Sequence, residues 1–63
     1  MCVNKYYKEL QEEKVQAYIE NVLKNYNITR SKLEKILIAE RAGVDNIHEA
    51  MKAVNIRIKF GMI

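Results

Sequence analysis

Ile38-Ala39-Glu40-Arg41-Ala42-Gly43-Val44 decides how the chain is read, because it joins one apolar helical pattern to another through a single glycine. Glycine enters left-handed backbone without steric cost, so Gly43 is expected at positive φ just past a helix that ends at Arg41. Asp45 is the expected N-cap of the next helix, and Ile47, Ala50, Met51 and Val54 follow at i, i+3, i+4 and i+7. Upstream, Leu33, Ile36, Leu37, Ile38 and Ala39 form an apolar surface too broad for one-sided burial, which marks a central helix. Either Thr29 caps its start, or Ser31 does so with Glu34 closing a capping box.

Ala39 where two helices would cross, Gly43 in the turn, and apolar Ile38, Ala42 and Val44 around it resemble the helix-turn-helix of LacI-type and phage Cro-type repressors. In those families the sixth and ninth residues after the glycine are apolar. Here they are Glu49 and Lys52, and one inserted residue brings Ala50, Ala53 and Val54 to the buried side instead. The resemblance implies a DNA-binding transcriptional regulator, with Leu33 to Arg41 as the supporting helix and Asp45 to Val54 as the helix entering the major groove.

The placement of charge points the same way. The net charge is +3, and through Thr29 the lysines Lys5, Lys8, Lys14 and Lys24 are balanced by Glu9, Glu12, Glu13 and Glu20. Beyond it, Arg30, Lys32, Lys35, Arg41, Lys52, Arg57 and Lys59 face only Glu34, Glu40, Asp45 and Glu49. Each cation that neutralises a phosphate releases a counterion and adds affinity, so a basic half suits duplex DNA. The candidate DNA-binding residues are Arg30, Lys32, Arg41, Asn46, His48, Lys52, Arg57 and Lys59. Asp45 and Glu49 oppose this reading, since carboxylates repel phosphate and read bases less often than Arg, Lys, Asn or Gln. An ordinary solvated lysine face is the bland alternative, for which such a charge is unexceptional.

Val3, Tyr6, Tyr7 and Leu10, then Val15, Tyr18, Ile19, Val22 and Tyr26, lie at helical spacing and predict a long N-terminal helix over residues 3–26. The polar run Gln11 to Lys14 interrupts the stripe, so the stripe must drift around the helix or the helix must bend. At the other end Ile56, Ile58, Phe60 and Met62 alternate with Arg57, Lys59 and Gly61, a strand signal, while Val54 and Ile58 also continue the helical period from Ile47 and Met51. The expected fold is therefore all-α: a long N-terminal helix and a helix-turn-helix pair, with the tail readable as a short C-terminal strand.

At 63 residues the chain is one small helical domain, spanning 1–63, too short to close a deep catalytic cleft and marginal in the surface it buries alone. Small scaffolds without disulfides or metals commonly gain burial by oligomerising, and a homodimer is expected. Tyr7, Leu10, Tyr18, Ile56, Ile58 and Phe60 are the candidate dimer or partner interface. A C-terminal strand would have to pair between chains, either with a second copy or with another protein's sheet edge. Cys2 is the only cysteine, which excludes an intrachain disulfide and a thiolate metal cage, and His48 lacks a second ligand at metal spacing. No metal, cofactor or membrane span is expected, and the reading is of a cytoplasmic protein. Nor does any nucleophile, base and orienting group stand out, so enzyme function ranks last.

A protein-binding regulator is the second function class. Asn27-Ile28-Thr29 followed by Leu33, Ile36 and Leu37 is similar to the helical hook of Sin-type anti-repressors, although the tryptophan of that hook is missing. It implies an anti-repressor or an inhibitor of a host protein that acts by helix or strand pairing. A small chain rich in lysine, asparagine and isoleucine suits an AT-rich phage or plasmid.

Overall fold

Residues 6–61 are described by a computed structural model, and among them the chain forms four helices and no strand. These are α1 (Tyr7–Leu10), α2 (Glu13–Asn25), α3 (Arg30–Arg41) and α4 (Ile47–Lys59).

The long N-terminal helix is not formed. The chain leaves the helix at Gln11 and resumes after Glu12, whose φ of −60° and ψ of 143° are extended. Burial explains the break. Leu10 and Val15 are both fully buried, yet five residues along an unbroken helix turn a side chain by about 140°. Only an interruption lets both face the same core. The amide of Gln16 donates to the carbonyl of Leu10, satisfying one acceptor freed at the end of α1. The part of the expected helix at residues 3–5 lies outside the described residues.

Leu10 comes from α1, Val15, Ile19 and Val22 from α2, Leu33 and Leu37 from α3, and Ile47, Ala50 and Val54 from α4. Together they form one apolar core, with no polar or charged residue buried among the described residues. Ile36 and Ile38 flank it, and α3 packs most extensively against α4. Thr29 is the residue that caps α3, its hydroxyl accepting from the backbone N–H of Lys32 at 3.2 Å. The start at Thr29 thus prevails over the later one at Ser31.

The connection at 42–46 differs from expectation in two ways. Gly43 does not adopt positive φ; among the described residues only Gly61 does, at 67°. Instead the chain leaves α3 through shortened turns, with Gly43 N–H bonding the Glu40 carbonyl at 3.0 Å and Val44 N–H bonding that of Arg41 at 3.3 Å. Helix-like backbone with i→i−3 bonds makes the exit, so no left-handed residue is required. The N-cap of α4 is Asn46 rather than Asp45, with the Asn46 side chain accepting from Glu49 N–H at 3.0 Å. Ile47, Ala50 and Val54 meet in the core through their helical spacing, as expected, although the helix starts one residue later.

The tail is helix, not strand, as far as Lys59. Ile58 packs against the core four residues after buried Val54, so the 3.6-residue period outweighs the alternation. Phe60 and Gly61 then close α4, with Gly61 N–H bonding the Ile58 carbonyl at 3.1 Å. Met62 lies outside the described residues.

Candidate nucleic-acid interface

The basic half of the sequence is less available than its charge suggests, because all three of its candidate arginines hold carboxylates. Arg30 pairs with Glu20, lies 3.9 Å from Glu34 and donates to Gln16 Oε1 at 3.2 Å. Arg57 pairs with Glu40 of α3 at 2.7 Å, tying the end of α4 to its neighbour. Arg41 is the most enclosed, with a side chain 14% exposed. Its Nε and an NH2 nitrogen donate to the two carboxylate oxygens of Glu9 at 2.7 and 3.3 Å, and another nitrogen donates to the Val44 carbonyl at 2.8 Å. The Tyr6 ring lies 4.5 Å from the guanidinium carbon. Hydrogen bonding to Glu9 raises the Arg41 pKa further above its ordinary value. Arg41 thus serves as a clasp between α1, the end of α3 and the link at 42–46, with three of its five N–H donors engaged.

The lysines stand differently. Lys32 and Lys35 are exposed on α3, and Lys59 is exposed at the end of α4, without an ion-pair partner among the described residues. Lys52 is exposed and lies 3.5 Å from Glu49 across i,i+3. Such an exposed pair contributes little and is easily surrendered to a phosphate.

Helical geometry sorts the outer surface of α4 into two rows. His48, Lys52, Asn55 and Lys59 recur at i, i+4, i+7 and i+11, which keeps them on one side of a 3.6-residue helix. All four are exposed and none is a carboxylate. Beside them run Glu49, Ile56 and Phe60, also at helical spacing, with Ile56 55% and Phe60 74% exposed. Asn46 precedes both rows, its side chain committed to capping the helix.

Among the candidate interface residues, Leu10 is fully buried within the chain's own core and is not available to a partner. Tyr18 is half-buried and its hydroxyl donates to the Met51 carbonyl at 3.4 Å, with burial raising its pKa. Ile58 packs on the core, while Tyr7 is 45% exposed. Asn55 and Lys35 were not among the candidate residues, although Lys35 was counted in the basic half, and both lie on exposed faces. The signal for Asn55 was present in its spacing from His48, Lys52 and Lys59, but it becomes legible only once α4 is known to continue past residue 55. Tyr26, at the end of α2, is exposed to the same degree as Tyr7 but was not among the candidate interface residues.

Elsewhere, a shallow hollow lies against Glu20, Asn21, Leu23 and Lys24, all from α2. Among the described residues no cluster of three His, Cys, Asp or Glu side chains could hold a metal ion, and no helix is long and apolar enough to cross a membrane. Comparison with protein-family models, curated proteins and solved structures finds no match. The functional reading therefore rests on the geometry of α3 and α4.

Proposed function

We propose that this chain is a small cytoplasmic DNA-binding regulator in which α3 and α4 act as a helix-turn-helix pair, α3 supporting and α4 entering the major groove. The observation that carries this reading is the row His48, Lys52, Asn55 and Lys59, an exposed edge of side chains suited to phosphate or base contact with no carboxylate among them. Lys32 and Lys35 on α3 add two exposed cations. With the arginines held by carboxylates, four lysines supply the phosphate contacts: Lys32, Lys35, Lys52 and Lys59. Four contacts on duplex DNA give a slope of log affinity against log salt of about −3.6 per bound protomer. Fluorescence anisotropy with a random duplex, titrated from low salt upward, tests it. Absence of binding at low salt, or affinity that ignores salt, would remove DNA binding from consideration.

A second reading is favoured by one observation, the exposed Ile56 and Phe60 on the neighbouring row of α4. Large apolar side chains one helical turn apart suit a protein surface, either a second copy or another regulator. Sedimentation equilibrium at micromolar concentration separates these cases. A dimer lost in Phe60→Ala with the fold intact assigns the row to self-association, whereas monomeric wild type leaves it to a different protein or to solvent.

A further inference from the structure

Asn55 is the helix-interior asparagine whose amide has no hydrogen-bond partner among the described residues. Asn21 and Asn25 are one turn apart on α2 and bond each other at 3.0 Å, and Asn46 caps α4. Asn27 sits in the link between α2 and α3, where asparagine is a favoured turn residue. Asn55, by contrast, lies in the middle of α4 with neither role. A mid-helix asparagine is a poorer helix former than alanine, because its side chain competes for backbone partners in non-helical conformations. Its position between Lys52 at i−3 and Lys59 at i+4 puts an uncommitted amide between two cations on one exposed edge.

We infer that Asn55 reads adenine in the major groove, an inference that rests on the DNA-binding reading above. A carboxamide matches adenine there by accepting from the N6 amino group through Oδ1 and donating to N7 through Nδ2. The row from His48 to Lys59 rises about 16 Å along the helix axis, roughly five base-pair steps of duplex. Asn55 falls well inside that span, and Lys52 and Lys59 are placed to hold flanking phosphates. His48 lies at the opening turn of the helix and adds a further polar group to the row.

The test uses the full chain and two duplexes of alternating A and T, one ordinary and one with every adenine replaced by 7-deazaadenine. The replacement removes the N7 acceptor from the major groove while keeping base pairing and the minor groove. Wild type is expected to bind the ordinary duplex at least roughly 5-fold more tightly, as loss of a base contact worth about 1 kcal/mol requires. Asn55→Ala should bind both duplexes equally, with an unchanged salt slope, since no phosphate contact is lost. Its helical circular dichroism should match wild type, because alanine is the stronger helix former. If wild type binds neither duplex, the DNA reading falls and the inference with it. Should wild type bind both equally, or Asn55→Ala keep the preference, the assignment of Asn55 is overturned while DNA binding stands.

Discussion

Gly43→Ala is expected to raise the stability of the domain, although the sequence around it suggests a glycine that cannot be replaced. Gly43 lies outside the positive-φ region, and a Cβ built on it would meet only the Glu40 carbonyl oxygen at 3.8 Å, an ordinary contact. Where the backbone accepts a side chain, replacing glycine narrows the unfolded ensemble and stabilises by about 0.4–1 kcal/mol. In a domain of this size each kcal/mol moves Tm by about 4–8 °C, so the variant should melt roughly 2–8 °C above wild type. Thermal unfolding followed by far-ultraviolet circular dichroism reads the shift, and urea titration with an unchanged slope would assign it to stability. Gly61→Ala is the control, since its φ of 67° strains any L side chain even though nothing crowds a Cβ there. It should cost about 1–2 kcal/mol locally, felt only in part because terminal turns fray. A fall of several degrees in Gly43→Ala would refute the reasoning and show that the link turns on a left-handed glycine.

Three further expectations follow from the same contacts. Asn46→Ala should lose about 0.5–2 kcal/mol by removing the cap on α4, whereas Asp45→Ala should stay within about 0.5 kcal/mol of wild type; urea midpoints showing the reverse order would return the cap to Asp45. Lys52→Ala should flatten the salt slope of DNA binding by about one unit, while Arg41→Ala should lower Tm without changing that slope, because Arg41 holds Glu9 rather than a phosphate. Tyr18 carries a phenol raised above the ordinary 10.0 by burial. Its contribution to stability is therefore fully present below that pH and is lost as pH rises through the raised folded value. Wild type should accordingly lose more stability than Tyr18→Phe in alkaline unfolding curves, and parallel curves would count against the buried phenol.

The all-helical character was legible because α2, α3 and α4 each carry apolar residues at helical spacing, and Thr29 was readable as a cap from its chemistry alone. The single long N-terminal helix was not, because the apolar stripe runs on both sides of Gln11 and Glu12. What breaks it is the demand that Leu10 and Val15 meet the same core, a tertiary requirement that local propensity does not express. At the tail, alternation and helical period competed over the same residues. The packing of Ile58 beneath the chain decided between them. In the candidate site, charge counting located the basic half of the chain but treated arginine and lysine alike. Arg30, Arg41 and Arg57 find carboxylates on other segments, and Glu9 lies 32 residues from Arg41, a separation at which no pattern in one sequence announces a partner.

The clasp made by Arg41 has a consequence for the order in which the molecule assembles. Most packing between α3 and α4 is local in sequence, joined by the short link at 42–46, and such a hairpin closes at small entropic cost. The contact from Glu9 to Arg41 closes a far longer loop, and it needs the end of α3 and the Val44 carbonyl already in place. On these grounds α1 docks last and departs first. Amides of Tyr7–Leu10 should exchange with solvent well before those of Leu33 or Val54, and the departure of α1 would uncover the apolar ground beneath Leu10 while α3 and α4 stay paired. A one-turn helix held by Leu10, the Gln16 amide and one guanidinium is thereby the natural cover of the core.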